Sequence, residues 1–188
     1  MLPRLLFISA AVVLAFVAPL HASEVIVDRA VKHWAKTLVN TGREGAGNEE
    51  ASAAWTKVVA GGPPALPVLL ALTGAGGAVA DNWLRLAGDA IVDAALRDKK
   101  PLPLAEMEAF LKDTRNPASA RQLAFDLIGK SDAALADKIE PGLMNDPVQE
   151  LRRGGVQRLI VQAKKQATSA GAVGAKEKFL KALDAVRD

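Results

Sequence analysis

Asp146-Pro147-Val148-Gln149-Glu150-Leu151-Arg152-Arg153-Gly154-Gly155 decides how this chain reads, because it holds a phrase that occurs three times. An apolar or small residue is followed by Arg, two further residues, and then Gly or Ala. The copies are Leu84-Arg85 leading to Gly88, Ala120-Arg121 leading to Ala124, and Leu151-Arg152 leading to Gly155. Each follows an Asn or Asp that reads as a helix start: Asp81, Asn116 and Asp146. The arginines stand 36 and 31 residues apart. That period fits a helix-turn-helix unit repeated along the chain, in which neighbouring units bury a shared core.

The surrounding residues supply the rest of the pattern. In the third unit Asp146 is placed to cap a helix, Pro147 to occupy its first turn, and Gln149 to complete a capping box. Leu151, Gly155 and Leu159 then mark a buried face. In the second unit Leu102-Pro103-Leu104 opens one helix and Asn116-Pro117 its partner. There Ala120, Leu123, Ala124, Leu127 and Ile128 fall at i, i+3, i+4, i+7 and i+8, the spacing of one helix face. In the first unit Leu66-Pro67 precedes a Gly-rich turn and a helix beginning near Asp81. Trp83, Leu86 and Ala90 make a second side of that helix apolar beside the stripe through Leu84, Gly88 and Ile91. Pro67 to Arg85 and Pro103 to Arg121 are both 18 residues, which favours true repetition.

Outside the units, Val27, Ala30, Val31, Trp34, Ala35 and Leu38 form the stripe of a first amphipathic helix. The Gly-rich stretch 41–47 ends it, and Asn48 with Glu49 and Glu50 suits the start of another. A last helix over residues 172–186 shows Ala175, Phe179, Ala182, Leu183 and Val186 as its stripe.

The amino terminus has the order of a secretory signal. Arg4 is followed by an apolar run over residues 5–17, then Pro19, Ala22 and Ser23. The run is too short to cross a bilayer as a helix, so cleavage after Ala22 or Ser23 and export to the periplasm or medium are expected. Contact with a membrane is then only transient, through the signal. The reading divides the chain into a signal (1–22), a helix and linker (23–47), helical repeats (48–163) and a C-terminal helix (164–188).

Composition agrees with helices. Half the residues are hydrophobic, much of that Ala and Leu, only 4% are aromatic, and Tyr is absent. With no cysteine, disulfides, thiolate metal sites and a cysteine nucleophile are excluded. Loss of Arg4 with the signal leaves a surplus of two cations, too small for a dedicated nucleic-acid binder even though Arg152, Arg153, Arg158, Lys164 and Lys165 cluster.

From Ile139-Glu140-Pro141-Gly142-Leu143-Met144-Asn145-Asp146-Pro147 on to Leu151-Arg152, the chain resembles the HEAT-repeat family, with a late proline in the first helix, an Asp-Pro turn and an apolar-Arg pair in the second. Looser copies are Leu66-Pro67 with Asp81 and Leu84-Arg85, and Asn116-Pro117 with Ala120-Arg121. The resemblance covers about residues 48–163 and implies an all-α, right-handed α-solenoid of stacked hairpins, about three repeats with flanking helices. It also implies that Asp81, Arg85, Arg121, Asp146 and Arg152 brace one repeat against the next. Asn116 departs from the family's acid, and Gly154-Gly155 sits in mid-helix at a cost of about 1 kcal/mol per Gly against Ala. Close helix packing is one way to offset it.

No catalytic constellation emerges. His33 lies beside Trp34 without partners at metal or triad spacing, Asp89 and Asp93 read as a solvated strip, and Gly74-Ala75-Gly76-Gly77 lacks the Lys-Ser/Thr of a phosphate loop. The expectation is an exported, non-catalytic scaffold without cofactor or metal whose inner surface docks another protein or a partner domain. The alternative is the N-terminal helical part of a larger exported protein or enzyme, with a nucleic-acid-binding repeat protein as the third reading.

Overall fold

A computed structural model describes residues 18–42, 46–169 and 172–186, and among these every regular element is helical. The apolar run of the signal, residues 5–17, lies outside the described residues, while the expected cleavage point falls inside the first helix, α1 (Ala18–Val39). Gly47, at φ 80°, turns the chain into α2 (Asn48–Ala60), so a glycine stands at the cap and Asn48 is already helical. A single 3-10 turn, Pro63–Ala65, leads to the short α3 (Leu66–Leu72), with Pro67 in its first turn. The chain continues as α4 (Ala78–Asp98), α5 (Leu104–Lys112), α6 (Ala118–Ser131), α7 (Ala133–Leu143), α8 (Gln149–Ser169) and α9 (Ala172–Ala185).

Consecutive helices pack in pairs, α1 on α2, α3 on α4, α5 on α6, α7 on α8, and α8 on α9. The even-numbered helices also touch in order, α2 to α4 to α6 to α8, and α3 touches both α1 and α5. One core runs through these layers, from Val31 and Leu38 through Leu69, Ile91 and Leu127 to Leu151. A second, small cluster joins the end of α7 to α8 and α9 through Met144, Leu159 and Ala182.

Several expected boundaries move, each for a local reason. The helix expected near Asp81 begins at Ala78, because Asp81 instead reaches back across the Gly-rich turn and accepts from the Gly74 N–H at 2.7 Å. Asn116 does not cap α6; its Nδ2 donates to the Phe110 carbonyl at 2.8 Å and ties the turn to α5. Asp146 and Pro147 precede α8, which begins at Gln149. The Asp146 carboxylate accepts from Val148 N–H at 2.9 Å, an Asx turn two residues on. Asp132 is a side-chain cap, accepting from Leu135 N–H at 2.9 Å.

Two apolar faces are covered only in part. On the second side of α4, Leu86 is 47% exposed, whereas Trp83 and Ala90 are half-buried, Trp83 against the core. On α9, Ala175 and Ala182 are buried, but Leu183 is 69% exposed and Val186 56% exposed, because no described element packs outside them. Ala30 of the α1 stripe is also exposed. The boundary expected at residue 163 falls within the unbroken α8.

The mid-helix glycines separate into two kinds. At Gly88 a Cβ would lie 3.1 Å from Leu127 Cδ1, so α4 approaches α6 through the missing side chain. At Gly155 the nearest atoms to such a Cβ are Leu143 Cβ at 3.5 Å and the Glu140 carbonyl oxygen at 3.6 Å, ordinary van der Waals distances. Gly155→Ala is therefore expected to stabilise the protein by up to about 1 kcal/mol through helix propensity. Thermal unfolding followed by circular dichroism checks this: a melting temperature raised by roughly 2–4 °C is expected, and a lowered one would mean that α7 and α8 cannot yield a methyl's width.

Candidate functional site

The recurring arginines occupy three different environments. Arg121, on α6, is 1% exposed, and it reaches Asp146, itself 7% exposed, in the turn before α8. Nη1 donates to Asp146 Oδ1 at 3.0 Å, Nη2 to Oδ2, and Nε to the Leu111 carbonyl at the end of α5 at 2.7 Å. One guanidinium thus joins α5, α6 and the turn that launches α8. A buried charge pair is costly to desolvate, and the fork geometry together with the extra bond to Leu111 offsets that cost.

Arg85, on α4, donates to Asp126 Oδ2 on α6 at 2.8 Å, with both side chains around two-fifths exposed. Gln122 adds Nε2 to Asp126 Oδ1 at 2.7 Å. Arg152 turns back on its own helix start, donating to the Asp146 carbonyl at 2.8 Å and the Pro147 carbonyl at 3.2 Å. The structure therefore brings Arg121, Asp146 and Arg152 together around one turn. Asp81, Arg85 and Asn116 do not join that cluster.

Asp89 and Asp93 both accept from Lys130 Nζ of α6, at 3.2 and 2.9 Å. The bond to Asp93, then Asp89, raises the Lys130 pKa above its ordinary value. Two carboxylates clamped on one ammonium form a surface tie between α4 and α6. His33 is exposed, its ring edge-on to Trp34 with centroids 4.8 Å apart. Among the described residues no group of three His, Asp or Glu could hold a metal ion.

The surface with the clearest capacity to meet another molecule is the α8–α9 pair. Val161 (54% exposed), Val173 (88%), Leu180 (54%) and Leu183 (69%) project from it. Ala167, Ala175, Phe179, Leu180 and Leu183 line a shallow, mostly apolar groove there, with Lys176 at its edge. Residues 149–186 carry eight Lys and Arg against three Asp and Glu, whereas residues 23–148 carry 14 against 17. The cationic cluster read from the sequence thus belongs to a larger basic and apolar end. Arg158 within it is committed, donating to Asp137 Oδ1 at 2.7 Å and to the Ala133 carbonyl at 2.8 Å. The sequence carried the signal for this surface in the apolar stripe from Phe179 to Val186, which has no following stripe to cover it.

Searches of family models, curated proteins and solved structures found no match to this chain.

Removing either partner of the buried pair leaves the other charge stranded. Arg121→Ala or Asp146→Ala is expected to cost about 3–5 kcal/mol, whereas Arg85→Ala, at a solvent-screened pair, should cost no more than about 1 kcal/mol. Urea unfolding of the three variants checks the ranking; equal losses at Arg85 and Arg121 would overturn it.

Proposed function

We propose that this chain is an exported, non-catalytic interaction scaffold: a right-handed, HEAT-like α-solenoid whose terminal α8–α9 pair docks another protein. The observation that carries this reading is the apolar surface of α8 and α9, where Val173, Leu180 and Leu183 stand exposed beside lysines. Contiguous exposed apolar side chains on an otherwise polar surface are characteristic of a docking face. The solenoid reading is supported by the pairing of consecutive helices and by the successive contacts of α2, α4, α6 and α8. It is also supported by the repeated Arg phrase. Arg121 and Arg85 supply the bracing between successive units that the HEAT resemblance implies, with Asp146 and Asp126 as their acids.

The same exposed stripe favours a second reading, in which these helices belong to a larger exported protein and its partner domain covers α9. The two readings share the surface and differ in whether its occupant is a separate molecule or another part of the same one.

Leu180→Asp with Leu183→Asp separates this surface from the fold, since both side chains lie outside the core. The double variant is expected to keep its helical circular dichroism and its melting temperature. Wild-type protein should retain a defined partner from an envelope or secreted extract, and the double variant should lose it. If wild-type protein instead self-associates with rising concentration in size-exclusion chromatography and the double variant stays monomeric, the partner-domain reading gains. Wild-type protein that is monomeric and captures nothing at any salt concentration sinks both.

A further inference from the structure

Two hollows lie along the α8–α9 pair, and helix periodicity joins them into one groove. The first, of about 610 Å³, is lined by Arg153, Val156 and Gln157 of α8 and by Ala185 and Val186 of α9. The second, of about 400 Å³, is the apolar hollow lined by Ala167 of α8 and by Lys176, Phe179 and Leu183 of α9. On α8, Arg153, Gln157, Ile160, Lys164 and Ala167 fall at i, i+4, i+7, i+11 and i+14, so one row of that helix runs from the first hollow into the second. On α9 the row Lys176, Phe179, Leu183 and Val186 runs the same course in the opposite direction. From Arg153 to Ala167 the groove extends four turns, about 21 Å.

The charges along this groove have one sign. Among the described residues its lining carries Arg152, Arg153 and Lys176 and no acid. Arg152 is engaged with the Asp146 and Pro147 carbonyls, whereas Arg153 and Lys176 stand exposed at the two ends and Lys164 stands exposed between them. The acids of this part of the chain lie elsewhere. Val173, Glu177, Leu180 and Asp184 form a separate row along the crest of α9, and Glu150 is in the first turn of α8. An anionic bilayer laid on the crest would meet Glu177 and Asp184. A second copy of the chain laid groove to groove would bring the same cations to face these. An apolar floor edged by cations over four turns is instead complementary to a helix that carries carboxylates beside an apolar stripe.

We propose that the α8–α9 groove takes an acidic amphipathic helix of a partner protein, about four turns long. Its apolar stripe lies on Ile160, Phe179, Leu183 and Val186, and its carboxylates meet Arg153 at one end, Lys164 midway and Lys176 at the other. This rests on the reading of the α8–α9 pair as a docking face and names the chemistry of what docks there. Apolar contact supplies most of the affinity, and the cations supply the choice of partner: carboxylates beside the stripe are drawn in, and lysines at the same places are repelled. Because these cations are exposed, salt screens them, and the preference is greatest at low ionic strength.

The test is fluorescence anisotropy with two helix-stapled peptides of about four turns that share one leucine stripe, with Glu at the flanking positions of one and Lys at those of the other. Wild-type protein is expected to bind the Glu peptide roughly tenfold more tightly than the Lys peptide at low salt, and the gap should narrow several-fold at high salt. Arg153→Glu with Lys176→Glu, both at exposed positions, should keep the helical circular dichroism and reverse the preference. If that double variant does not fold, Arg153→Gln with Lys176→Gln must still abolish the preference. Equal affinity for the two peptides, binding of neither, or a preference that the variants retain overturns the proposal. Displacement of the Glu peptide by phosphatidylglycerol vesicles, with phosphatidylcholine vesicles inert, overturns it in favour of a lipid surface. A dimer that excludes the peptide overturns it in favour of a second copy. If the peptides fail while a partner from extract is retained, and then lost in Leu180→Asp with Leu183→Asp, the docking reading stands and the acidic occupant alone falls.

Discussion

The fork of Arg121 onto Asp146 is the constraint around which the second half of the molecule is arranged. A guanidinium at 1% exposure can be tolerated only where its donors are met, and here they are met by Asp146 and by the Leu111 carbonyl. Three pieces of chain are thereby fixed together: the end of α5, the first turn of α6, and the turn before α8. The same carboxylate accepts from Val148, so the Arg121 bond and the direction in which α8 leaves its turn are coupled. Arg152 closes the arrangement from the other side through the Asp146 and Pro147 carbonyls. Such a node contributes little net stability against an apolar replacement, and its effect is to make one alignment of α6 and α8 far better than its neighbours.

From that node the layers differ in how they are held. Between α4 and α6 the contact is close, with Gly88 admitting Leu127, and it is edged by exposed ion pairs through Arg85 and Lys130. Between α8 and α9, Leu159, Val156 and Ile160 of α8 pack with Ala182 and Ala185 of α9 and with Met144. The main core thus runs from α1 to the start of α8, and a small separate cluster joins α8 to α9.

Much of the helical layout was legible in the sequence, because the relevant signals are periodic and local. The stripe Ala120, Leu123, Ala124, Leu127 and Ile128 is buried, as its spacing requires. The recurrence of the arginine marked residues that the fold uses, yet it could not distinguish their partners. Arg85 finds Asp126, Arg121 finds Asp146, and Arg152 finds backbone, and those choices depend on which side chains the layers bring within reach. Capping was misread for the same reason. Asn116 and Asp146 have the chemistry of caps, but tertiary partners competed for their side chains and won. The burial of Glu140 was invisible, since nothing local separates it from an exposed helical glutamate.

The exposed Leu180 and Leu183 lie on a helix whose buried contacts belong to the small second cluster rather than to the main core, and this placement has a physical consequence. A docking helix must be able to adjust to its partner, which a helix locked into the main core cannot do without disturbing everything beneath it. Placing Leu180 and Leu183 on α9 confines any adjustment to the second cluster.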